Sequence, residues 1–451
     1  MFYRPISDYT DSAAPSLSAQ RLEHLHCPSP ERKLVPDSSE IGIATSVWGA
    51  KVTGIYRSVS PKAYSLSREP SKAGREKDVA QKDEPFDECF IKRYGRQYLR
   101  DASLSYPLPC DLVEIHRQTL WTMLLCQVFD GPLCSPFFKQ KPPECVLEVA
   151  CGTGFWSEMC HRHFSKHGHH SISFTGIDIA PLGHLDQRSR YRSMNWRFVQ
   201  HDLRKVPLPF HDGEFSLIMI KDLSMVVPTT DIQQSLMDEY IRILKPGGTI
   251  EIWDGDHTLR TLLPPPNLET SDENINSSST TKLNYLPSGV YEIPIGTFLL
   301  TQQEQFTATK NVYIKDYNKW ISSILGARQL ASMPCTAMLS TLLQESEFLH
   351  AIDCRRLAIP LGEIWWERKF DCEPEYTSKD KHNSSDSDWL NASQAAVRKI
   401  ALKMLIQMIE SLEPLLQEAS GKGLDEWELW MDSMMGDLLQ ANGASCGECL
   451  E

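Results

Sequence analysis

The chain has 451 residues, of which 41% are hydrophobic and 23% charged, and a formal net charge of −13. This composition supports a sizeable core and excludes wholesale disorder, and no apolar run reaches the ~18 residues that a membrane-spanning helix needs. The acidic balance argues against a broad nucleic-acid-binding face, which requires clustered Lys and Arg against phosphates.

Residues 1–88 are rich in Ser, Pro and charge without a sustained period, and read as a disordered tail. A more apolar island, 41–56, surrounds Trp48 and is expected to dock on the body or on a partner. Met1 is not followed by a basic and then an apolar leader, and the 13 cysteines have no framework spacing. Reduced thiols and an intracellular location, cytoplasmic or nuclear, are therefore expected, with no membrane association.

Order is expected to begin near Phe90. Leu112, Ile115, Leu120, Leu124 and Val128 fall at helical spacing and predict a helix over 111–130, ended by Pro132 and Pro136. Short apolar runs then predict strands over 145–149, 171–177, 196–200, 215–220 and 249–253. Helices are expected over 155–164 and 231–244, and a turn at Pro246-Gly247-Gly248. This alternation implies an α/β fold, a Rossmann-like parallel sheet with helices on both faces. After the fifth strand a polar loop follows Pro264-Pro265-Pro266, and 296–345 reads as largely helical. Residues 348–359 and 362–366 suggest a hairpin around Pro360. Apolar stripes at Val397–Leu412 and Trp427–Leu439 predict C-terminal helices. The expected divisions are 1–88 (tail), 89–258 (helical lead-in and cofactor-binding core) and 259–451 (an insertion, hairpin and helices completing the same domain).

Chemistry concentrates at Glu148-Val-Ala-Cys-Gly152-Thr153-Gly154, where the first strand meets the first helix of the sheet. Glycines there allow close backbone approach to a ligand and aim helix N–H groups at it. Asp178, followed by Ile179, ends the second strand, where a carboxylate can accept hydrogen bonds from ribose hydroxyls. Asp202, followed by Leu203, follows the third strand, and Lys221-Asp222 the fourth. All four points lie at carboxyl ends of strands, where such sheets bind ligands.

Together with Ile243-Leu-Lys-Pro-Gly-Gly-Thr249, these residues resemble the class I S-adenosylmethionine-dependent methyltransferases. The resemblance covers about residues 145–254. It implies S-adenosylmethionine as cofactor, with Glu148, Gly152, Thr153 and Gly154 in its loop. It further implies Asp178 and Ile179 at the ribose, Asp202 and Leu203 near adenine, and Lys221 at the reacting end. Ala150 stands where the family has its first glycine, a replacement tolerable at negative φ. More loosely, Tyr94-Gly-Arg-Gln-Tyr98, Tyr106-Pro-Leu-Pro109 and Gly152-Thr-Gly-Phe-Trp156 resemble the LaeA-like fungal methyltransferases, regulators that act with protein partners. Tyr94, Arg96 and Tyr98 are expected either to close over the methionine end or to pack onto the sheet. Such sheets often end in an antiparallel strand, here expected to be short, missing or supplied by 348–366.

Methyl transfer needs a base only if the acceptor loses a proton. Asp222 and His201 are the candidate catalytic groups. The histidine-dense Cys160–His170 and the terminal Cys446-Gly-Glu-Cys449 lack four converging ligands, and no metal is expected. Two functional expectations stand. The first is a methyltransferase acting on an unidentified acceptor. The second is a non-catalytic regulator of the same fold that acts through protein partners and its tail. A nicotinamide dehydrogenase fits the strand-one acid and the Lys-Pro-Gly-Gly turn less well.

Overall fold

The computed structural model describes residues 54–57, 88–139, 141–184, 194–263, 290–293, 295–300, 306–364, 390–439 and 448–450, all within one unit, Ala50–Glu451. Strand β1 is Gly54–Arg57, and a hairpin follows in β2 (Phe90–Arg93) and β3 (Arg96–Leu99). Its turn, Tyr94-Gly95, has both residues at positive φ, +51° and +73°, as a two-residue hairpin turn requires. Helix α1 (Leu112–Val128) starts where Asp111 accepts the Glu114 N–H at 3.1 Å, a side-chain cap on an otherwise orphaned donor. Next come β4 (Cys145–Val149), α2 (Phe155–Lys166), β5 (Ser173–Asp178), β6 (Asn195–Gln200), β7 (Phe215–Lys221), α3 (Asp231–Ile243) and β8 (Leu244–Trp253).

β6, β5, β4, β7 and β8 lie side by side in that order, all parallel. The chain order reverses between β4 and β7, which opens a crevice at the carboxyl ends of these strands. Leu147, Val149, Ile177, Leu217 and Ile218 are fully buried, as continuous apolar runs covered by helices on both faces must be. The expected five strands and two helices are thus present to within a few residues, except that β8 begins at Leu244. Pro246-Gly247-Gly248 lies inside that strand as an irregularity: Phe215 pairs with Leu244 and Leu217 with Thr249, while Gly247 takes φ +75°. The turn chemistry is accommodated as a bulge because flanking residues on both sides still reach β7.

Three expectations are corrected. Gly54–Arg57, within the segment read as a tail, pairs antiparallel with β8 through Tyr56↔Thr249 and Gly54↔Glu251. Residues 296–308 are not helical. After β9 (Arg260–Leu262) and β10 (Val290–Ile293), the chain forms β11 (Thr297–Leu300) and β12 (Phe306–Ala308), and only then α4 (Val312–Ala327) and α5 (Pro334–Gln344). Among the described residues, 348–364 form no hairpin around Pro360. β13 (Leu349–His350) joins the outer side of β1, while β14 (Arg356–Pro360) pairs with β11 and with β15 (Glu448–Leu450). A second sheet results, antiparallel throughout, in the order β10-β11-β14-β15-β9-β12.

The C-terminal helices α6 (Ala392–Ser420) and α7 (Leu424–Leu439) pack with α1 and α4 in one apolar cluster containing Trp320, Trp427 and Trp430. Trp427 stacks on Trp430 at 5.1 Å between ring centroids. Helix α1 also buries an ion pair, Glu114–Arg117. The Ser411 hydroxyl of α6 donates to Glu114 at 2.8 Å, which satisfies a further lone pair of that buried carboxylate. No helix among the described residues is long and apolar enough to cross a membrane.

Candidate active site

The β4–α2 loop is built from alternating left-handed residues: Ala150 (φ +50°), Gly152 (+53°) and Gly154 (+74°). Ala150 therefore does not have the negative φ under which its replacement of glycine was expected to be tolerable. It carries the side-chain penalty of that region, about 1–2 kcal/mol. Gly176, beneath the loop, is required by space: a Cβ there would lie 2.4 Å from the Trp196 ring and 2.6 Å from Cys151 Sγ.

Asp178, at the end of β5, reaches across to this loop. Its Oδ2 accepts the Gly152 N–H and its Oδ1 the Ala180 N–H, both at 2.8 Å. Burial raises its pKa, and the backbone donors oppose that rise. Each oxygen retains a second lone pair, and Asp178 stands on the wall of a cavity of about 190 Å³, room for roughly a dozen waters at ~10–15 Å³ each. Gly152, Ile179, Asp202, Leu203, Lys221 and Asp222 line the same cavity. It runs over the carboxyl ends of β6, β5, β4, β7 and β8, four strand spacings or about 19 Å.

Asp202 both lines the cavity and caps its turn. It accepts the Arg204 N–H and Arg204 Nε, each at 3.0 Å. Burial pushes its pKa up, but Arg204 outweighs this and holds the carboxyl below its ordinary value. Arg204 also grips Asp101 and Ser103, which ties the segment after β3 to this end of the cavity.

Other expected site residues lie behind the wall. Glu148 is 3% exposed, and its Oε2 takes the Ser157 N–H at 3.1 Å and the Ser157 hydroxyl at 2.6 Å. It anchors α2 beneath the loop and positions the site without touching the cavity. Burial raises it to about 7, against the lowering effect of Ser157 and Lys221. Thr153 and Gly154 are at the start of α2 and are not cavity-lining. Tyr94 is 75% exposed at the hairpin tip, and Arg96 is spent on Asp111 in a two-point ion pair. Neither they nor Tyr98 line the cavity, so the expected closure by these three does not occur. Leu99, Leu104 and Tyr106 of the same lead-in line it instead.

The two candidate bases also fare differently from expectation. His201 is off the cavity wall, with Nε2 held by the Lys205 carbonyl at 2.7 Å. Asp222 is on the wall at φ +54°, but its Oδ1 accepts Trp121 Nε1–H at 3.1 Å and its Oδ2 accepts Lys221 Nζ. Burial raises its pKa, but Lys221 and Trp121 more than offset that and keep it low. Both contacts fix its carboxylate in place.

Sequence reasoning missed the group beside it. After β8, Asp254-Gly-Asp-His257 brings His257 to the cavity. His257 Nε2 is 2.9 Å from Ser224 Oγ, whose hydroxyl donates to Asp254 Oδ1 at 2.6 Å. The position of this segment at a carboxyl strand end was the available signal. The rest of the wall comes from far along the chain: Tyr317 of α4, Met404, Leu405 and Met408 of α6, and Leu259 and Met225. Arg117 and Gln118 of α1 also reach it, Gln118 donating to Tyr106 OH at 3.0 Å and to Glu114 at 3.1 Å.

Among the described residues no group of three or more His, Cys, Asp or Glu is placed to hold a metal ion. Within the histidine-dense segment, His163 of α2 and His167, which caps that helix, pair ring to ring at 5.1 Å. Of the terminal cysteine pair, Cys446 lies outside the described residues, while Cys449 sits in β15 opposite Pro360.

The family model described as "Methyltransferase domain" matches residues 146–248, from β4 into β8. A fatty-acid O-methyltransferase of Mycolicibacterium smegmatis is 31% identical over 162 residues, which is 36% of this chain and 51% of that protein. A demethylmenaquinone methyltransferase of Tropheryma whipplei is 30% identical over 122 residues, 26% of this chain and 45% of that one. Among solved structures, the PH0226 protein of Pyrococcus horikoshii OT3 aligns at 18% identity over 45% of this chain and 80% of that one, with a TM-score of 0.23. The chain spans about half the length of these curated relatives. Residues 146–248 of this chain thus match a methyltransferase-domain model, and they lie in a Rossmann-like parallel sheet.

Proposed function

We propose that the protein is an S-adenosylmethionine-dependent methyltransferase with a small, predominantly apolar acceptor. The observation that carries this is one cavity that runs from Asp202 past Asp178 and Gly152 to Asp222 and His257. The residues present fit the cofactor. Asp178 is anchored from behind by two loop N–H groups and keeps lone pairs for a ribose diol. Asp202 and Leu203 stand where an adenine would be held, and Gly152 allows close approach of the loop. When bound, S-adenosylmethionine supplies a methyl group on a positively charged sulfur, whose departure leaves that sulfur neutral.

What the chain itself does is alignment and exclusion of water. The Lys221–Asp222 pair and Trp121 form the rigid floor over β7. Met225, Leu259, Tyr317 and Met404, each at most 4% exposed, wall the far end with apolar surface. The curated relatives are named for a fatty acid and a demethylmenaquinone, and an apolar acceptor here agrees with that wall. We also place the chain near the LaeA-like group, because Tyr106, Leu108 and Pro109 of that motif stand on the cavity wall. With that placement goes a role in metabolic regulation with protein partners. Transfer of a labelled methyl group to protein, lipid, RNA and small-molecule fractions tests the reading. Label is expected in the lipid or small-molecule fraction and lost in Asp178→Ala. Label confined to RNA or protein would contradict the acceptor class.

A further inference from the structure

We infer that the acceptor presents a neutral hydroxyl, as a phenol or similar apolar alcohol does, and that His257 takes the hydrogen of that hydroxyl through Nδ1. This rests on the methyl-transfer reading of the same cavity and deepens it.

The hydrogen bonds around His257 determine which ring nitrogen is available. A serine hydroxyl has one hydrogen. Ser224 gives it to Asp254 Oδ1 at 2.6 Å. Asp254 is already committed as an acceptor, since its Oδ2 takes the Ser224 N–H and its Oδ1 the Gly255 N–H, both at 2.9 Å. Ser224 Oγ can therefore only accept from His257, so Nε2 at 2.9 Å carries the ring hydrogen. That leaves Nδ1 as a bare lone pair, and Nδ1 makes no hydrogen bond among the described residues. The backbone is held as well: His257 N–H donates to Ser332 O at 2.9 Å. Two residues on, Leu259 exchanges both backbone groups with the Asn318 side chain at 2.9 and 2.7 Å.

The imidazole is neutral. Burial pulls its pKa down to about 4, although the nearby Asp222 charge pulls the other way. His257 lines the cavity with this lone pair unmatched among the described residues, and beside Arg117 and Gln118 the wall takes mostly carbon from Met225, Leu259, Tyr317, Met404 and Met408. The geometry thus asks for a ligand with an apolar body and one hydrogen to donate. A carboxylate has no hydrogen for Nδ1, and the cations on this wall do not favour it freely, since Lys221 is already paired with Asp222 and Arg117 with Glu114. In the reaction the acceptor oxygen gives its proton to Nδ1 as its bond to the methyl carbon forms. The carbon–sulfur bond breaks with its electron pair left on sulfur, and the imidazolium then releases the proton to water.

The test uses the full chain at about pH 8, above the value near 7 to which Asp254 is raised. The protein is first titrated to saturation with S-adenosylhomocysteine by calorimetry, then separately with 2-naphthol and 2-naphthoate. Naphthol is expected to bind at least about tenfold more tightly, and His257→Leu should bring the two within about threefold. Equal binding of the probes by the wild type, binding of neither, or a preference that survives His257→Leu overturns the inference. Should His257→Leu fail to fold, Ser224→Ala releases the ring hydrogen and must shrink the ratio by at least about threefold; an unchanged ratio overturns the inference equally. Failure to bind S-adenosylhomocysteine counts against the methyl-transfer reading. Binding of it without a naphthol preference counts against the hydroxyl assignment alone.

Discussion

Replacing Asp178 by Ala separates the two jobs of that carboxylate. In the free protein it satisfies the Gly152 and Ala180 N–H groups at 2.8 Å each. Removing it leaves both donors without their acceptor, at about 1–3 kcal/mol for each that water does not reach. Because Asp178 stands on the cavity wall, water reaches part of the vacated space, and the expected loss of folding stability is nearer ~1–2 kcal/mol. In the complex the same carboxylate is expected to accept ribose hydroxyls, and hydrogen bonds to a charged group are worth about 1.5–3 kcal/mol. Affinity for S-adenosylhomocysteine should therefore fall between about tenfold and a hundredfold or more. Asp178→Asn should resemble Ala rather than Asp, because its NH₂ would meet either the Gly152 or the Ala180 N–H. Calorimetry gives the affinity and urea denaturation the stability. A variant with reduced stability and unchanged affinity would show that Asp178 organises the loop but does not touch ribose. Unchanged values of both would refute the geometry.

Further predictions concern the loop, its buried anchor and the helical layer. Ala150→Gly should raise stability by ~0.5–1 kcal/mol, the left-handed penalty of about 1–2 kcal/mol less the ~0.4–1 kcal/mol entropic cost of glycine in the unfolded chain. A lower urea midpoint would contradict the φ of +50°. Glu148 has its pKa raised from 4.5 to about 7 by burial, so between these values the folded state holds a proton that the unfolded state has lost. Its contribution is thus full below the unfolded value and is lost as pH rises through about 7. Glu148→Gln should flatten that part of the stability–pH profile, and an unaltered slope would mean the carboxyl is ionised when buried. Trp427→Ala should cost about 3–5 kcal/mol, since the ring is 1% exposed, stacked on Trp430, and donates to Glu413 at 2.9 Å. A loss below ~1 kcal/mol in urea unfolding would show that the C-terminal helices are not part of the cooperative core.

The part of the cavity wall over β4, β5 and β6 was legible in the sequence because each of its residues sits at a strand end inside a short local motif. Gly152, Asp178 and Asp202 needed only the periodicity of β4, β5 and β6 to be placed. The opposite wall was not legible, because it is assembled over long sequence separations. Met404 and Met408 read as an apolar stripe of a packed helix, and helical spacing alone cannot tell a core face from a cavity face. Tyr317 gave no local signal at all. Asp222 follows β7 as its motif indicates, but its hydrogen bond from Trp121, about a hundred residues earlier, has no local signal. His257 had a readable signal in its position after the last parallel strand. Thr297-Phe-Leu-Leu300 was misread as helix because a four-residue apolar run carries no period of its own; its pairing with β10 and β14 decides the matter. The sign of φ at Ala150 is set by the reach of the loop from β4 to α2, and no side-chain pattern reports it.

The central claim is that the crevice over β4, β5 and β6 binds S-adenosylmethionine, and calorimetric titration of the wild-type chain with S-adenosylhomocysteine tests it most directly. The account predicts saturable binding at one site per chain, weakened at least about tenfold in Asp178→Ala. Absence of binding by protein that still shows a cooperative unfolding transition would contradict it.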